Sequence, residues 1–207
     1  MNTDQHGLKN KSLIIPVALA FLSLITAASG LAAGSSKAIG SPTAPIVIEL
    51  FSDFQCPHCK DLHDEALPSL IADFVNTGKV YLVRRYFLLP RPYSRVSATY
   101  VCAAERIGKY DQVSNVLFLT QRSWAETGKV DETVSSVLSG ADMQKVRALV
   151  KDPSITAEID KDSALGASQS VNQTPTMIIV HKGQRTPIAG VISYSLLKMY
   201  LDKVLAQ

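Results

Sequence analysis

The rhythm of apolar and polar positions changes several times along the chain, and each change predicts an element. Residues 12–36 carry no charged side chain, the flanking charges being Lys11 and Lys37, and most of the run is apolar. Small polar residues with Gly and Pro follow at 34–43 (GSSKAIGSPT), the composition of a linker. Residues 45–51 (PIVIELF) form a short apolar, β-branched block bounded by turn formers, which predicts a buried strand. From 60 to 76, Leu62, Ala66, Leu67, Leu70, Ile71 and Phe74 recur at helical spacing, and Gly78 stops the pattern. A second strand is predicted over 80–89 (VYLVRRYFLL).

The sequence LPRP at 89–92 breaks that strand. Beyond it no strand pattern appears until about residue 162. Short helices are predicted over 94–107, 110–121, 131–138, 141–151 and 154–168, punctuated by Gly108, Gly128, Gly140 and Pro153. Trp124 falls between two of these segments, where a core or interface position is expected. The chain then reads as β-β-α: a turn at 173–176, a strand at 177–181, a reversal near 182–184 and a short strand near 186–189. A closing amphipathic helix over 193–205 carries Leu196, Leu197, Tyr200, Leu201 and Val204. The expectation is one α/β domain, with a helical insertion over about 92–168 separating two strand-bearing parts.

Length and charge support that picture without changing it. A chain of 207 residues, 46% hydrophobic, suffices for one well-filled domain and not for two large ones. Of the net charge of +3, Lys9, Lys11 and Lys37 against Asp4 place +2 ahead of residue 41. The remainder is close to neutral, so no nucleic-acid partner is expected. Arg84 and Arg85 are adjacent on a strand and point to opposite faces, so a solvated pair is expected rather than an anion site.

The leading apolar run follows two lysines and reads as an export or anchoring segment. Ala28, Ser29 and Gly30, and again residues 32–34, suit a signal peptidase; the length equally suits an uncleaved span. The division expected is therefore 1–33 as signal peptide or anchor, 34–40 as linker and 41–207 as folded domain. Lysines before the run stay in the cytoplasm, which places the rest of the chain outside, where a disulfide persists.

The chemistry lies between the first strand and the first helix, in FSDFQCPHCK at 51–60. Cys56 and Cys59 are separated by Pro57 and His58, and Pro57 suits a first helical turn because its missing N–H has no partner there anyway. Unpaired backbone N–H groups at a helix start favour negative charge, so the thiolate of Cys56 gains most. Two thiols three positions apart can close a small disulfide ring, as thiol–disulfide exchange requires. A positive His58 would stabilise the Cys56 thiolate further and make the ring more oxidising.

Other uses of the motif fit less well. Haem attachment wants His directly after the second Cys, and Lys60 stands there. Zinc takes about four ligands, and beyond His58 and His63 the chain offers His6, in the leader, and His181, with no second CxxC. No metal and no cofactor are expected. A ring this small closes almost no loop of unfolded chain, so it stabilises little as a structural bridge. Cys102, among Ala98, Val101, Ala103 and Ala104, is expected as a buried thiol acting as a small apolar residue; a third redox thiol or an intermolecular bridge is the alternative.

CPHC after a strand, a helical insertion, then TPT opening a hairpin and final helix together resemble the exported thioredoxin-fold disulfide oxidoreductases of bacteria, the DsbA-like family, over about residues 41–207. The resemblance implies a redox-active Cys56–Cys59 disulfide, with Cys56 the exposed nucleophile and Cys59 the buried resolving thiol. It also implies a cis Pro175 opposite the cysteines, with the backbone of Thr174 pairing with a substrate strand. A buried acid often serves such proteins as proton relay; Glu49 or Asp53 are the choices here, while Leu50 stands six residues before Cys56. The implied activity is oxidation of reduced exported proteins, a membrane quinone-linked partner reoxidising the enzyme in a periplasmic or extracytoplasmic compartment. A reductase or isomerase of the same fold, or a tethered chaperone module with an inert disulfide, are the alternatives. Isomerases generally add an N-terminal dimerisation domain, for which the leader and linker leave no room, so a monomer is expected.

Overall fold

The computed structural model describes residues 37–207; the leader and most of the stretch before it joins the domain lie outside the described residues. Five strands and nine α-helices follow in this order: β1 (Ala38–Ile39), β2 (Ile46–Ser52), α1 (Pro57–Glu65), α2 (Leu67–Leu70), a π-helical turn (Ile71–Val75) and β3 (Val80–Tyr86). The helical part comprises α3 (Ser94–Glu105), α4 (Tyr110–Leu119), α5 (Gln121–Thr127), α6 (Val130–Ser135), α7 (Gly140–Leu149) and α8 (Pro153–Ser168). The chain ends in β4 (Thr176–His181), β5 (Gln184–Ala189) and α9 (Tyr194–Leu205). Among the described residues no helix is long and apolar enough to cross a membrane.

The strands form one mixed sheet in the order β1-β3-β2-β4-β5. β2 lies parallel to β3, so the chain must cross over between them, and α1 and α2 make that crossover. β4 runs antiparallel to β2 and to β5. The β4–β5 reversal uses Lys182 and Gly183, both at positive φ (47° and 79°), which is the backbone that a two-residue hairpin requires. β2 is buried on both faces: Ile46, Ile48 and Leu50 join the core under α1, α2 and α9, whereas Phe51 packs with Val171 and Ile178 on the other side.

A second core fills the helical part, around Val101, Leu117, Trp124, Val134, Ile155 and Ile159. Cys56, Cys59 and Phe54 belong to that cluster and not to the core under the sheet helices. The dithiol therefore sits at the seam between the strand-bearing part and the insertion.

Several expectations change. Part of the expected linker is structured: Ala38 and Ile39 pair with Val83 and Leu82, and Lys37 is buried against Glu158 (2.9 Å) and Asp162. The single helix predicted after the thiols breaks at Ala66, because Pro68 lacks an N–H and its ring crowds the preceding turn. Trp124 lies inside an additional helix, α5, where it is 1% exposed and donates from Nε1 to the Leu117 carbonyl at 2.7 Å. Arg84 and Arg85 do point apart, yet neither is simply solvated. Arg84 reaches Asp111 at 2.8 Å over the Tyr110 ring, and Arg85 pairs with Glu49 (3.1 Å) and Asp162 (3.2 Å).

Candidate active site

The turn between β2 and α1 is held from three sides. Asp53 is fully buried, and its carboxylate accepts from the amides of Gln55 and Leu89, each at 2.7 Å. Gln55 accepts from the Tyr93 amide at 2.8 Å and donates to the Ala125 carbonyl at 3.3 Å. Gln121 of α5 donates through Nε2 to the carbonyls of Phe54 (2.8 Å) and Cys56 (2.9 Å). The insertion thus fixes the backbone on which the thiols ride. Burial pushes the Asp53 carboxyl up, against the opposing hydrogen bonds from Ser94, Leu89 and Gln55.

Cys56 occupies the N-cap of α1 in an extended conformation (φ −82°, ψ 120°), with Pro57 as the first helical residue. All three cysteines of the chain are free thiols in the structure. A hydrogen bond from the Cys59 thiol is the largest influence on Cys56. Burial opposes it, and the Thr174 side chain and the amides of Cys59 and His58 assist, so the Cys56 pKa falls from 9.0 to about 5. The Cys59 thiol is pushed well above 9.0, by burial first and then by the neighbouring Cys56, although the Asp53 amide donates to its sulfur at 3.5 Å. One thiol is ionised at neutral pH and the other is not.

Cys56 is 3% exposed and Cys59 2%, so the open nucleophile expected of Cys56 is corrected to a nearly buried residue. The covering groups come from distant sequence: Gln121 against its carbonyl, and the Thr174 carbonyl, which accepts from the protonated Cys56 thiol at 3.4 Å. Pro57 and His58 themselves are exposed. The His58 ring turns to Asp61, 3.3 Å away, and its leading contribution to Cys56 is a backbone N–H.

The remaining sites named from sequence separate clearly. The Thr174–Pro175 peptide is cis and both residues are buried beside the dithiol. Glu49 is held between Arg85 (3.1 Å) and Arg185 (2.6 Å). Burial works to raise its pKa, but the two guanidiniums outweigh it and hold the carboxylate ionised. Of the two acids, only Asp53 contacts the cysteine turn through the bonds described. Cys102 is fully buried beside Glu105 and Glu158, and its thiol is pushed up to about 12 by burial and by those two carboxyls, which keeps it protonated. The tethers Gln55 and Gln121 carry no sequence signal, since each acts through a partner about 40 to 70 positions away.

A thioredoxin fold that carries an ionised thiol and a protonated partner thiol at the start of its first helix defines a thiol–disulfide oxidoreductase. Residues 32–203 match the family model described as Thioredoxin. Disulfide bond formation protein D of Bacillus subtilis is 23% identical over 176 residues, covering 81% of this chain and 76% of that protein. A putative protein-disulfide oxidoreductase of Rickettsia conorii is 26% identical over 114 residues, and the match spans 54% of this chain but only 40% of the relative. Among solved structures, alpha-DsbA1 of Wolbachia pipientis superposes with a TM-score of 0.68 at 20% identity, covering 81% of this chain and 89% of that one, a likeness of fold. The chain belongs to the thioredoxin family.

Proposed function

We propose that the protein is an oxidase, passing a Cys56–Cys59 disulfide to reduced proteins outside the cytoplasm and then being reoxidised by a quinone-linked membrane partner. What supports this direction is the place of Cys56 at the start of α1, where the Cys59 thiol and the amides of Cys59 and His58 lower its pKa while burial raises that of Cys59. A stabilised thiolate favours the reduced dithiol over the disulfide, so the disulfide is readily given away. Lowering the pKa from 9.0 to about 5 stabilises the reduced form at pH 7 by about 2.7 kcal/mol, which raises the two-electron potential by about 60 mV.

A substrate thiolate attacks Cys56 Sγ, the Cys56–Cys59 bond breaks, and Cys59 leaves and takes up a proton. The second substrate thiolate then displaces Cys56, which departs readily as an anion. Thr174 and the cis Pro175 stand against the Cys56 sulfur, so an extended substrate strand lies along residue 174 while its cysteine comes in past the exposed Pro57 and His58. Equilibration with glutathione gives the test. The potential is expected well above the value of about −270 mV typical of thioredoxin; a value at or below that overturns the oxidase reading.

A further inference from the structure

Disulfide exchange leaves one atom unaccounted for in this site, the proton of Cys59. Cys59 is 2% exposed, and its thiol must lose a proton to attack and gain one after leaving. Asp53, whose amide donates to the Cys59 sulfur, has its carboxylate engaged by the Gln55 and Leu89 amides, and Leu50 offers no proton.

A cavity of about 20 Å³ lies against Cys59 and is bordered by Ser52, His63, Tyr110 and Ser114. That is room for one water, which needs roughly 10–15 Å³ and two to four polar partners. His63 follows Cys59 by four positions on α1, which places the two on one face of the helix. The same His63 borders an open groove of about 610 Å³ together with Asp64, Asp111 and Asn115. Leu67 and Arg84 also border both spaces. A leucine carries no proton to exchange, and a guanidinium does not release one. His63 is therefore the residue bordering both spaces whose side chain can both take up and release a proton.

We propose that His63 carries the Cys59 proton between the internal cavity and the solvent groove. The ring is set for this: it lies on Phe118 with centroids 4.6 Å apart, and Asn115 of α4 hydrogen-bonds to it. The charges facing it are Lys60 and Asp64 on α1, Arg84 on β3 and Asp111 on α4. Burial lowers its pKa most, with Arg84 and Lys60 adding and Asp64 and Asn115 opposing, which favours the neutral imidazole, the form that can accept a proton. In ring closure the Cys59 S–H gives its proton through the cavity to His63. The thiolate attacks Cys56 Sγ, the bond from Cys56 to its partner sulfur breaks, and the partner leaves as a thiolate. His63 then releases the proton to the groove. In the reverse direction His63 delivers a proton to the departing Cys59.

This rests on the dithiol reading, and the test keeps the two apart. The reduced full-length chain is mixed with glutathione disulfide, and acid-quenched samples are resolved by mass into the Cys56–glutathione mixed disulfide and the closed ring. The first species reports Cys56; its conversion to the second reports Cys59. In His63→Gln, conversion at pH 7 is expected to slow at least tenfold, to lose the His inflection of the wild-type pH profile, and to be restored in part by added imidazole in His63→Ala. Conversion within twofold of wild type with the same pH profile overturns the role of His63. If wild type forms no mixed disulfide at Cys56, the oxidoreductase site itself is wrong. His63→Gln keeps a hydrogen-bonding side chain beside Asn115, so it decides the matter should the alanine variant not fold.

Discussion

The hydrogen bond from Cys59 to Cys56 makes a sharp prediction, because it is the largest single influence holding the Cys56 pKa at about 5. Replacing Cys59 by Ala removes the donor and leaves the helix start, the backbone amides and the burial of Cys56 in place. A hydrogen bond to a charged group contributes about 1.5–3 kcal/mol, and one pKa unit corresponds to about 1.4 kcal/mol. The Cys56 pKa in Cys59→Ala should therefore rise by about one to two units. Cys59→Ser restores an O–H donor of similar reach and should titrate close to wild type. The assay is ultraviolet thiolate absorbance against pH, with Cys56→Ser as blank. Reaction rate is a poorer readout, since thiolate nucleophilicity rises as its fraction falls and the two effects partly cancel. If the Ala and Ser variants titrate together near 5, the paired thiol is not the source of the anion's stability, and the backbone of α1 must account for all of it.

Three further outcomes are expected. Because the folded pKa of Cys56 lies below its ordinary value, its contribution to the stability of the reduced protein is complete above pH 9, declines as pH falls and is gone below about 5. The stability gap between reduced wild type and Cys56→Ala, read by denaturant unfolding, should therefore widen by about 2 kcal/mol from pH 5 to pH 7, and a flat gap contradicts it. Gln121→Leu strips the Phe54 and Cys56 carbonyls of their buried donor and should lower stability by about 2–4 kcal/mol; a loss below about 1 kcal/mol would show that the turn is held elsewhere. Gly166→Ala puts a methyl 2.6 Å from the Phe87 ring and 3.0 Å from that of Phe51. The overpacking, about 1–3 kcal/mol, outweighs the gain in helix propensity of about 1 kcal/mol, so the unfolding midpoint should fall, and a raised midpoint refutes the close approach of α8 to β2.

Local interactions made much of this molecule legible in one dimension. The strand into CPHC, the helix that follows, the run of short helices and the closing β-β-α were all readable, because side-chain periodicity and the Gly and Pro signals act over a few residues. The same holds for Cys56 at a helix start with Pro57 behind it. What could not be read depends on partners far along the chain. Ala38 and Ile39 look like linker until β3 offers an edge; Arg85 looks solvated until Glu49 and Asp162 fold beside it. The near-burial of Cys56 needs Gln121 and Thr174, 65 and 118 positions away. The choice between the two acids likewise falls to the tertiary contacts of Glu49 with Arg185, 136 residues on, and of Asp53 with Leu89, 36 residues on. Chemistry that resides in a short peptide is written locally, whereas burial, and the proton affinities that burial sets, exist only once distant segments have closed over the site.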